Sequence, residues 1–393
     1  MSAAAEHDTH AIAQRDAIAL SVYVHLPWCV RKCPYCDFNS HRAPAQLPET
    51  AYIEALLADW QLAAAEETRP IESVFFGGGT PSLFSAAAIG RVLDALDDRL
   101  GLSRDCEITL EANPGTTEHA RFADLRAAGV NRLSLGIQSL DDDCLSALGR
   151  IHGSGEALAA IDDARAGGFE AINCDLMFGL PGQTLAKAMT DVETIIDRDP
   201  GHISYYQLTL EPNTPFYRQP PALPDDDCVV EIFEQASARL SAAGYAQYEV
   251  SAWAKPQRAC RHNENYWRFG DYLGIGAGAH GKRTRADGHI ERSARQRWPT
   301  GYMSVAGKPA SIAETRVLDA QDARFECLLN GLRRRAGITR EDYEQRTGLD
   351  WYELGAALAG PIDRKLVSFD AKSLRATDHG WRFLDSILTE LLP

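Results

Sequence analysis

The sequence predicts an α/β protein in which a partial parallel (β/α)6 barrel precedes a smaller, mostly helical, winged-helix-like domain. Two observations support this fold class. Six short apolar runs alternate with amphipathic helical patterns up to residue 213, and the alternation stops after that point. Near-continuous apolar runs are typical of strands covered on both faces, and strands separated by helices pair in parallel through right-handed crossovers.

The six apolar runs have the length of buried strands, and each ends in glycine, proline or a polar residue. They span 21–26, 72–79, 106–113, 131–138, 171–182 and 202–213. The helical patterns between them span 52–65, 87–100, 118–129, 155–168 and 184–198. Polar residues cluster at the carboxyl ends of these strands, where parallel β/α barrels carry the active site. We therefore favour a barrel over a doubly wound sheet.

The pattern changes after residue 213. A long amphipathic helix is predicted at 225–244 and one strand at 247–254, and residues 311–393 have helical patterns around a glycine-punctuated middle. We divide the chain into four parts: a flexible N-terminal tail (1–20), the barrel (21–215), a barrel extension (216–310) and the C-terminal helical, winged-helix-like domain (311–393).

The charge balance is acidic, because 40 Lys and Arg residues stand against 55 Asp and Glu residues, a net charge of −15. This balance argues against a general nucleic-acid binder and against binding to anionic membranes. No apolar run approaches the ~18 residues of a membrane helix, and the N-terminus lacks the features of a secretory signal. We expect a cytoplasmic protein without stable membrane insertion, whose nine cysteines serve metal or redox chemistry rather than disulfides.

One group of cysteines is closely spaced: Cys29, Cys33 and Cys36 form a C-x3-C-x2-C pattern in HLPWCVRKCPYCDFNS. A structural zinc site prefers four ligands, and no fourth cysteine is near; Cys106 and Cys144 are distant in sequence, which alone does not exclude them. Three thiolates suit a [4Fe–4S] cluster in which one iron keeps an open position. The alternative is three cysteines that only pack in a loop, which gives no reason for this spacing.

The cysteine pattern after HLPW, with Tyr35 before the third cysteine, resembles the radical SAM superfamily. Further segments resemble the anaerobic coproporphyrinogen III dehydrogenases and the haem chaperones related to them; they include FFGGGTPSL, LEANPGT, CDLMFGLPGQT and HNENYWRFGDYLGIGAGAHG. The resemblance covers nearly the whole chain after residue 20. It implies a [4Fe–4S] cluster with S-adenosylmethionine (SAM) at the open iron, and an electron donor such as flavodoxin or ferredoxin.

The resemblance also implies a set of SAM contacts at or near the strand ends: Tyr23, Gly78, Gly79, Thr80, Glu111, Gln138, Arg150 and Asp175. These residue types suit the ligand. Glycines let the backbone approach closely, carboxylates and amides accept hydrogen bonds from ribose hydroxyls, and an arginine fork binds a carboxylate. The alternative for each residue, taken alone, is that it only forms hydrogen bonds within the protein at a strand end and does not contact SAM.

Two features separate the chaperones from the enzymes. The enzymes have a further cysteine two residues after the third cluster cysteine, where this chain has Phe38, and HNENYW is by resemblance the haem-associated motif. In that motif His262 is the candidate iron ligand, and Tyr266 and Trp267 are candidate contacts to the porphyrin face. The alternative places His262 in a hydrogen-bonded loop and the two aromatics in the core, with His25, His152, His280 and Cys260 as competing ligands.

Two charged runs receive structural interpretations. Asp225, Asp226 and Asp227 are expected to cap the helix that follows, because anions favour a helix N-terminus. Arg333, Arg334 and Arg335 are expected to form a solvated helix face, with contact to haem propionates or to an acidic partner as the alternative.

The sequence therefore predicts a protein that binds haem and delivers it to an acceptor protein, such as a respiratory one, and that carries the cluster with exchangeable SAM. The alternative is a catalytic oxygen-independent coproporphyrinogen III dehydrogenase, which the SAM site also suits. A radical SAM enzyme with another substrate is a third hypothesis, because substrate choice depends on side chains at the barrel mouth rather than on the fold.

Overall fold

A computed structural model of the protein describes residues 15–115 and 118–392, and the side chains of all of these except 118–120. In chain order the strands are β1 (Leu20–Leu26), β2 (Trp28–Cys29), β3 (His41–Arg42), β4 (Ile71–Gly78), β5 (Leu102–Ala112), β6 (Arg132–Gln138), β7 (Ala171–Phe178), β8 (Gly201–Gln207), β9 (Ala246–Glu249), β10 (Ala252–Ala254), β11 (Asp271–Ile275), β12 (His280–Thr284), β13 (Ile290–Arg295), β14 (Ile312–Val317), β15 (Ile338–Thr339), β16 (Val367–Phe369) and β17 (Ser373–Ala376).

The α-helices are α1 (Glu49–Ala63), α2 (Ala86–Leu100), α3 (Glu118–Ala127), α4 (Asp142–Ala147), α5 (Ser154–Ala166), α6 (Leu185–Arg198), α7 (Pro215–Arg218), α8 (Asp226–Ala242), α9 (Arg261–Trp267), α10 (Pro299–Val305), α11 (Ala320–Gly331), α12 (Arg340–Thr347), α13 (Leu354–Ala357), α14 (Ala359–Asp363), α15 (Asp378–Trp381) and α16 (Leu384–Glu390). No helix in the described part of the chain is long and apolar enough to cross a membrane.

The predicted parallel sheet is confirmed. Six strands pair in the order β1-β4-β5-β6-β7-β8, all parallel, with helices in the crossovers between them. Every residue of β6 is buried, as expected for a strand covered on both faces. Two strands are shorter than the apolar runs that predicted them, because β7 ends at Phe178 and β8 ends at Gln207.

The sheet of the described chain has twelve strands rather than the six that were predicted. β11 pairs in parallel with β1, and β12, β13 and β14 continue from it as antiparallel strands. At the other edge β10 and β9 are added antiparallel to β8. The extension strands HGKRT and IERSAR are polar and half-buried, so they lack the apolar runs by which the six barrel strands were found.

Three further expectations need correction or refinement. The single strand expected at 247–254 is the antiparallel pair β9 and β10, with an irregularity in their pairing. HNENYW lies on the short helix α9, so His262 is not the loop residue of the alternative interpretation. The C-terminal part contains, beside its helices, a three-stranded antiparallel sheet in the order β15-β17-β16, which accords with the winged-helix-like expectation.

Residues 15–20 are not a flexible tail, although residues 1–14 of that predicted tail lie outside the described residues. Ile18 is 1% exposed, and β1 begins at Leu20. The guanidinium of Arg69 donates to the carbonyl oxygens of Arg15 and Ile18, at 3.1 Å each. These contacts hold the segment against the amino-terminal ends of the barrel strands.

The main core lies around the barrel, and a second apolar cluster lies in the C-terminal part around Tyr343, Trp351 and Leu374.

The run Arg333–Arg335 was expected on a solvated helix face, and that expectation was wrong. The Arg333 guanidinium lies 4.4 Å from the ring centroid of Trp267, and Arg334 forms an ion pair with Glu264 at 3.1 Å. The run therefore joins the C-terminal part to α9. Asp225 caps α8 as expected, accepting from the N–H of Cys228.

Candidate functional site

The three closely spaced cysteines lie on the loop that follows β1, at the carboxyl end of the barrel. Cys29 ends β2, which pairs in parallel with β3. All three cysteines are half-buried, and none of them forms a disulfide. Burial and the neighbouring thiols of Cys36 and Cys33 raise the pKa of Cys29. In the described chain no three His, Cys, Asp or Glu side chains stand as a preformed metal-binding group. The fit to a cluster therefore rests on the donor set and on its place at the barrel mouth.

Arg150 connects the cysteine loop to the ends of three strands. Its Nη1 lies 3.8 Å from Sγ of Cys33, and its Nη2 donates to Oδ1 of Asn113 at 2.5 Å and to the carbonyl of Gly136 at 2.8 Å. Nδ2 of Asn113 in turn donates to Oγ1 of Thr80 at 2.9 Å. This chain of contacts places a buried guanidinium beside a thiol that could ligate iron. Asn113 was not among the predicted site residues, although it stands in the LEANPGT segment.

The glycine turn after β4 packs directly against the cysteine loop. A Cβ on Gly78 would lie 2.5 Å from Cε1 of His25, and a Cβ on Gly79 would lie 2.5 Å from the carbonyl oxygen of Trp28. Gly78 also has φ +113, a conformation that favours glycine. The N–H of Thr80 donates to the Trp28 carbonyl at 2.8 Å. The turn therefore requires glycine to hold the loop in place.

Two carboxylates lie in the barrel interior, on neighbouring parts of the sheet. Oε2 of Glu111 accepts from the N–H of Gly78 at 3.1 Å, and burial and the nearby Asp175 raise its pKa to about 8. Asp175 accepts from Asn173 at 2.7 Å, and burial raises its pKa as well. Carboxyl groups that keep a proton can donate as well as accept hydrogen bonds, which suits contacts with hydroxyl groups.

Gln138 ends β6 with φ +69, and its Oε1 accepts from the hydroxyl of Tyr206 at 2.7 Å. Tyr23 lies in the middle of β1, and its hydroxyl is 3.1 Å from Nδ1 of His25. Nε2 of His25 lies 2.9 Å from the Asn39 carbonyl, which can only accept, so Nε2 carries the proton and Tyr23 donates to Nδ1. The predicted SAM contacts thus lie at the strand ends and on the connections around the barrel mouth, except Tyr23 and Asp175, which lie within β1 and β7.

A cavity of about 630 Å³ lies between the barrel mouth and the antiparallel extension. Its inner end is lined by Tyr23, Gly78 and Glu111, which are among the predicted SAM contacts. Its outer end is lined by the cysteine-loop residue Phe38 and by residues of β12, β13 and β14. The cavity thus joins the predicted SAM site to a surface that the sequence patterns did not reveal.

The histidine of the HNENYW motif lies toward the amino-terminal ends of the barrel strands, away from the cysteine loop. His262 is 1% exposed, its Nδ1 lies 3.0 Å from the hydroxyl of Ser73 on β4, and its ring stacks 5.1 Å from that of Phe75. Burial lowers the pKa of His262 to about 3. Its Nε2 has no hydrogen-bond partner among the described residues. The ring is therefore neutral and enclosed, with one nitrogen free.

The two aromatic residues of the motif have different surroundings. Tyr266 lines the cavity and makes edge contacts with the rings of Tyr272 and His262, with centroids 4.3 and 4.7 Å away. The indole N–H of Trp267 is buried without a partner among the described residues, and its ring faces Arg333. Only Tyr266 of the three predicted haem residues borders the cavity.

The competing iron ligands also differ in access. His152 is buried, and burial and Arg150 lower its pKa to about 4. Cys260 is fully buried against Glu107, and burial raises the pKa of its thiol to about 12, so the thiolate is disfavoured. His280, in contrast, is an exposed residue at the outer end of the cavity.

A parallel β/α barrel whose first loop presents three cysteines places the chain in the class of radical SAM proteins, and comparison with protein-family models agrees. The model of the radical SAM superfamily matches residues 23–195. The model of the HemN C-terminal domain matches residues 318–383.

Curated relatives narrow the class. The heme chaperone HemW of Escherichia coli K12 is 46% identical over 370 residues, which cover 94% of this chain and 97% of the relative. The heme chaperone HemW of Haemophilus influenzae is 45% identical, with coverage of 94% and 97%. The chain belongs to the family of the heme chaperone HemW. A bovine mitochondrial protein, radical S-adenosyl methionine domain-containing protein 1, is 36% identical and covers 95% of this chain and 87% of that relative.

A solved structure shares the complete fold. The coproporphyrinogen III oxidase HemN of Escherichia coli, described as a radical SAM enzyme, superposes with a TM-score of 0.81. It covers 100% of this chain and 93% of its own, at 24% sequence identity. At this identity the likeness concerns the fold and not the substrate.

Proposed function

We propose that this protein binds haem and delivers it to an acceptor protein, and that it carries a [4Fe–4S] cluster with exchangeable SAM. The observation that carries the proposal is the near full-length similarity to heme chaperones from two bacteria, at 46% and 45% identity. The cavity of about 630 Å³ beside the cysteine loop supports it, because a tetrapyrrole needs a large, partly apolar site.

In this proposal Cys29, Cys33 and Cys36 hold the cluster. Their three thiolates would ligate three of the four irons of a [4Fe–4S] cluster. The fourth iron would then stay open to a ligand, and the half-buried loop would keep it accessible. When bound, the cluster and SAM supply one-electron reductive cleavage of a carbon–sulfur bond. The loop position leaves the cluster accessible to an electron donor such as flavodoxin or ferredoxin. We place the protein in the cytoplasm, where thiols stay reduced.

The chain's own residues would position SAM. Arg150, which already donates to Asn113 and approaches Cys33, offers a guanidinium to a carboxylate. Glu111 and Asp175 offer carboxyl groups to hydroxyls from the barrel interior. Tyr23 and the glycine turn line the same cavity, so the cofactor and the haem would be neighbours.

The alternative function is oxidative decarboxylation of coproporphyrinogen III. The fold shared with HemN is compatible with it, but Phe38 stands where the sequence pattern of the enzymes has a cysteine. Phe38 is 64% exposed at the rim of the cavity. A thiol at the mouth is therefore replaced by an apolar ring, which favours binding of a flat ligand over cysteine-dependent chemistry.

The test uses anaerobically reconstituted protein. We expect iron and sulfide to be retained by the wild type and lost by Cys33→Ala, and a saturable Soret band at about one haem per chain in titrations with haemin. The distant Cys174→Ala variant is the matched control for the cluster. Formation of protoporphyrinogen from coproporphyrinogen III with SAM and dithionite, or the absence of saturable haem binding, would refute the proposal. So would a zinc site or a cluster with four protein ligands.

A further inference from the structure

The outer end of the large cavity has a composition that the cluster and SAM do not explain. It is formed by Phe38 of the cysteine loop, by His280, Ala294 and Glu314 of the antiparallel extension, and by Arg297 just after β13. The predicted SAM contacts Tyr23, Gly78 and Glu111 lie at the inner end. The outer end thus offers an imidazole, an aromatic ring and a guanidinium around one opening.

His280, Ala294 and Glu314 form a row across three antiparallel strands. His280 pairs with Ala294 on β13, and Ala294 pairs with Glu314 on β14. Residues directly opposite one another in antiparallel strands point to the same face of the sheet. The small Ala294 therefore leaves a gap between an imidazole and a carboxylate that both face the cavity.

The imidazole of His280 is free to bind a ligand. It makes no hydrogen bond to any described residue, whereas both ring nitrogens of His25, on the inner side of the cavity, have partners. Burial and the charges of Arg292 and Arg297 lower the pKa of His280, while Glu314 acts in the opposite direction. A neutral imidazole is the form that binds iron, and a nearby carboxylate can orient it.

Two other groups at this opening suit a flat, acidic ligand. Phe38 exposes a large aromatic ring that could pack on a porphyrin face. The guanidinium of Arg297 forms no ion pair or hydrogen bond with a described residue, so it can bind a carboxylate. In contrast, His262 of HNENYW is enclosed between Phe75, Tyr266 and Ser73.

We propose that His280 is the axial ligand of the bound iron tetrapyrrole, with Phe38 beside the ring and Arg297 toward its carboxylates. This assignment rests on the proposed function, since it concerns where haem binds. Tyr266 of HNENYW borders the same cavity, and its ring contacts the buried ring of His262. Haem and SAM then occupy opposite ends of one cavity.

The experiment compares haemin titrations of the full-length wild type with those of His280→Ala, His262→Ala and His289→Ala. His289 is the matched control, because it is an exposed histidine on the turn between β12 and β13, paired with Asp287 and outside the cavity. We expect His280→Ala to weaken haem binding at least ~10-fold and to remove the Soret band of imidazole-ligated iron. His289→Ala should bind as the wild type does.

Two further measurements separate ligation from structure. Added imidazole should restore the wild-type spectrum to His280→Gly, which a purely structural loss would not allow. Thermal unfolding should reveal destabilisation in His262→Ala, since that ring is buried, and the variant should keep the wild-type Soret position. Loss of this band in His262→Ala, together with an unchanged His280→Ala, would overturn the assignment while leaving haem binding intact. Failure of the wild type to bind haemin would instead refute the proposed function.

Discussion

Glu111 joins the glycine turn to the barrel interior through one hydrogen bond. Its Oε2 accepts from the N–H of Gly78 at 3.1 Å, and its carboxyl group has a pKa of about 8 because of burial and the nearby Asp175. In water a glutamate ionises near pH ~4.3. The folded protein thus keeps a proton that the unfolded chain releases at much lower pH.

This difference makes stability depend on pH. Between about pH 4.3 and 8 the unfolded state binds fewer protons at this site than the folded state, so the free energy of unfolding falls as pH rises. Glu111→Gln keeps the oxygen that accepts from Gly78 and removes the ionisation. We expect its unfolding free energy to rise relative to the wild type by about 2–4 kcal/mol from pH 5 to pH 8.

Urea unfolding of the ligand-free proteins at several pH values measures this change. The matched control is Glu54→Gln, because Glu54 is 60% exposed and its surface ion pair with Arg91 contributes little. Parallel pH profiles for the wild type and Glu111→Gln would contradict the raised pKa.

At the scale of elements, the short helix α9 depends on its neighbours. It has seven residues, too few for an isolated helix to be stable in water. Its Glu264 is paired with Arg334, and its Trp267 faces Arg333, which also pairs with the buried Glu249 at 3.2 Å. Contacts with the C-terminal part therefore stabilise α9 in its position beside the barrel.

Replacing Arg333 should weaken this junction. Arg333→Ala removes a cation–π contact and the ion pair of the buried Glu249, so we expect a loss of about 1–3 kcal/mol in the free energy of unfolding. The fluorescence of the tryptophans should change, because Trp267 loses the group over its ring. Chemical denaturation measures both effects.

Arg364→Ala serves as the control, because its ion pair with Glu390 is exposed and lies within the C-terminal part. We expect it to cost less than about 0.5 kcal/mol. Equal losses of unfolding free energy in Arg333→Ala and Arg364→Ala would show that the contacts of Arg333 with Trp267 and Glu249 contribute no more than an exposed ion pair.

At the scale of the whole molecule, one buried ion-pair network joins the extension to the barrel. Lys282 on β12 donates to Asp271 on β11 at 2.9 Å, and Asp271 pairs with Arg69 at 2.9 Å. Arg69 also pairs with Glu67 and donates to the carbonyl oxygens of Arg15 and Ile18. Three segments distant in sequence meet at this network.

Removing Lys282 leaves Asp271 paired with Arg69 but gives the buried network an excess negative charge. We expect Lys282→Met to lower the free energy of unfolding by about 3–5 kcal/mol, since Lys282 and Asp271 are almost fully buried. Lys255→Met is the control, because its pair with Asp199 is partly exposed and should be worth less than about 1 kcal/mol. Thermal and urea unfolding measure both. A loss in Lys282→Met no greater than in the control would show that the network does not stabilise the fold.

Much of the barrel could be predicted from the sequence for a physical reason. Strands buried on both faces need continuous apolar runs, so β1 and β4 to β8, the six strands of the parallel sheet, were visible in the pattern. The strands β12 and β13 were not visible, because HGKRT and IERSAR are short and mostly polar and so contain no apolar run. Their place in the sheet follows from the pairing of β12 with β11 and of β13 with β12, which no local pattern encodes.

The candidate site divides in the same way. The spacing of Cys29, Cys33 and Cys36 predicts a metal loop by itself, because three thiols on one short loop can reach a single centre. The surroundings of His262 and His280 could not be predicted, since burial depends on what packs against a residue from elsewhere. Tertiary structure alone encloses His262 behind β4 and leaves His280 at the cavity. Local spacing thus predicts the kind of site, and long-range packing decides which histidine lies at the cavity.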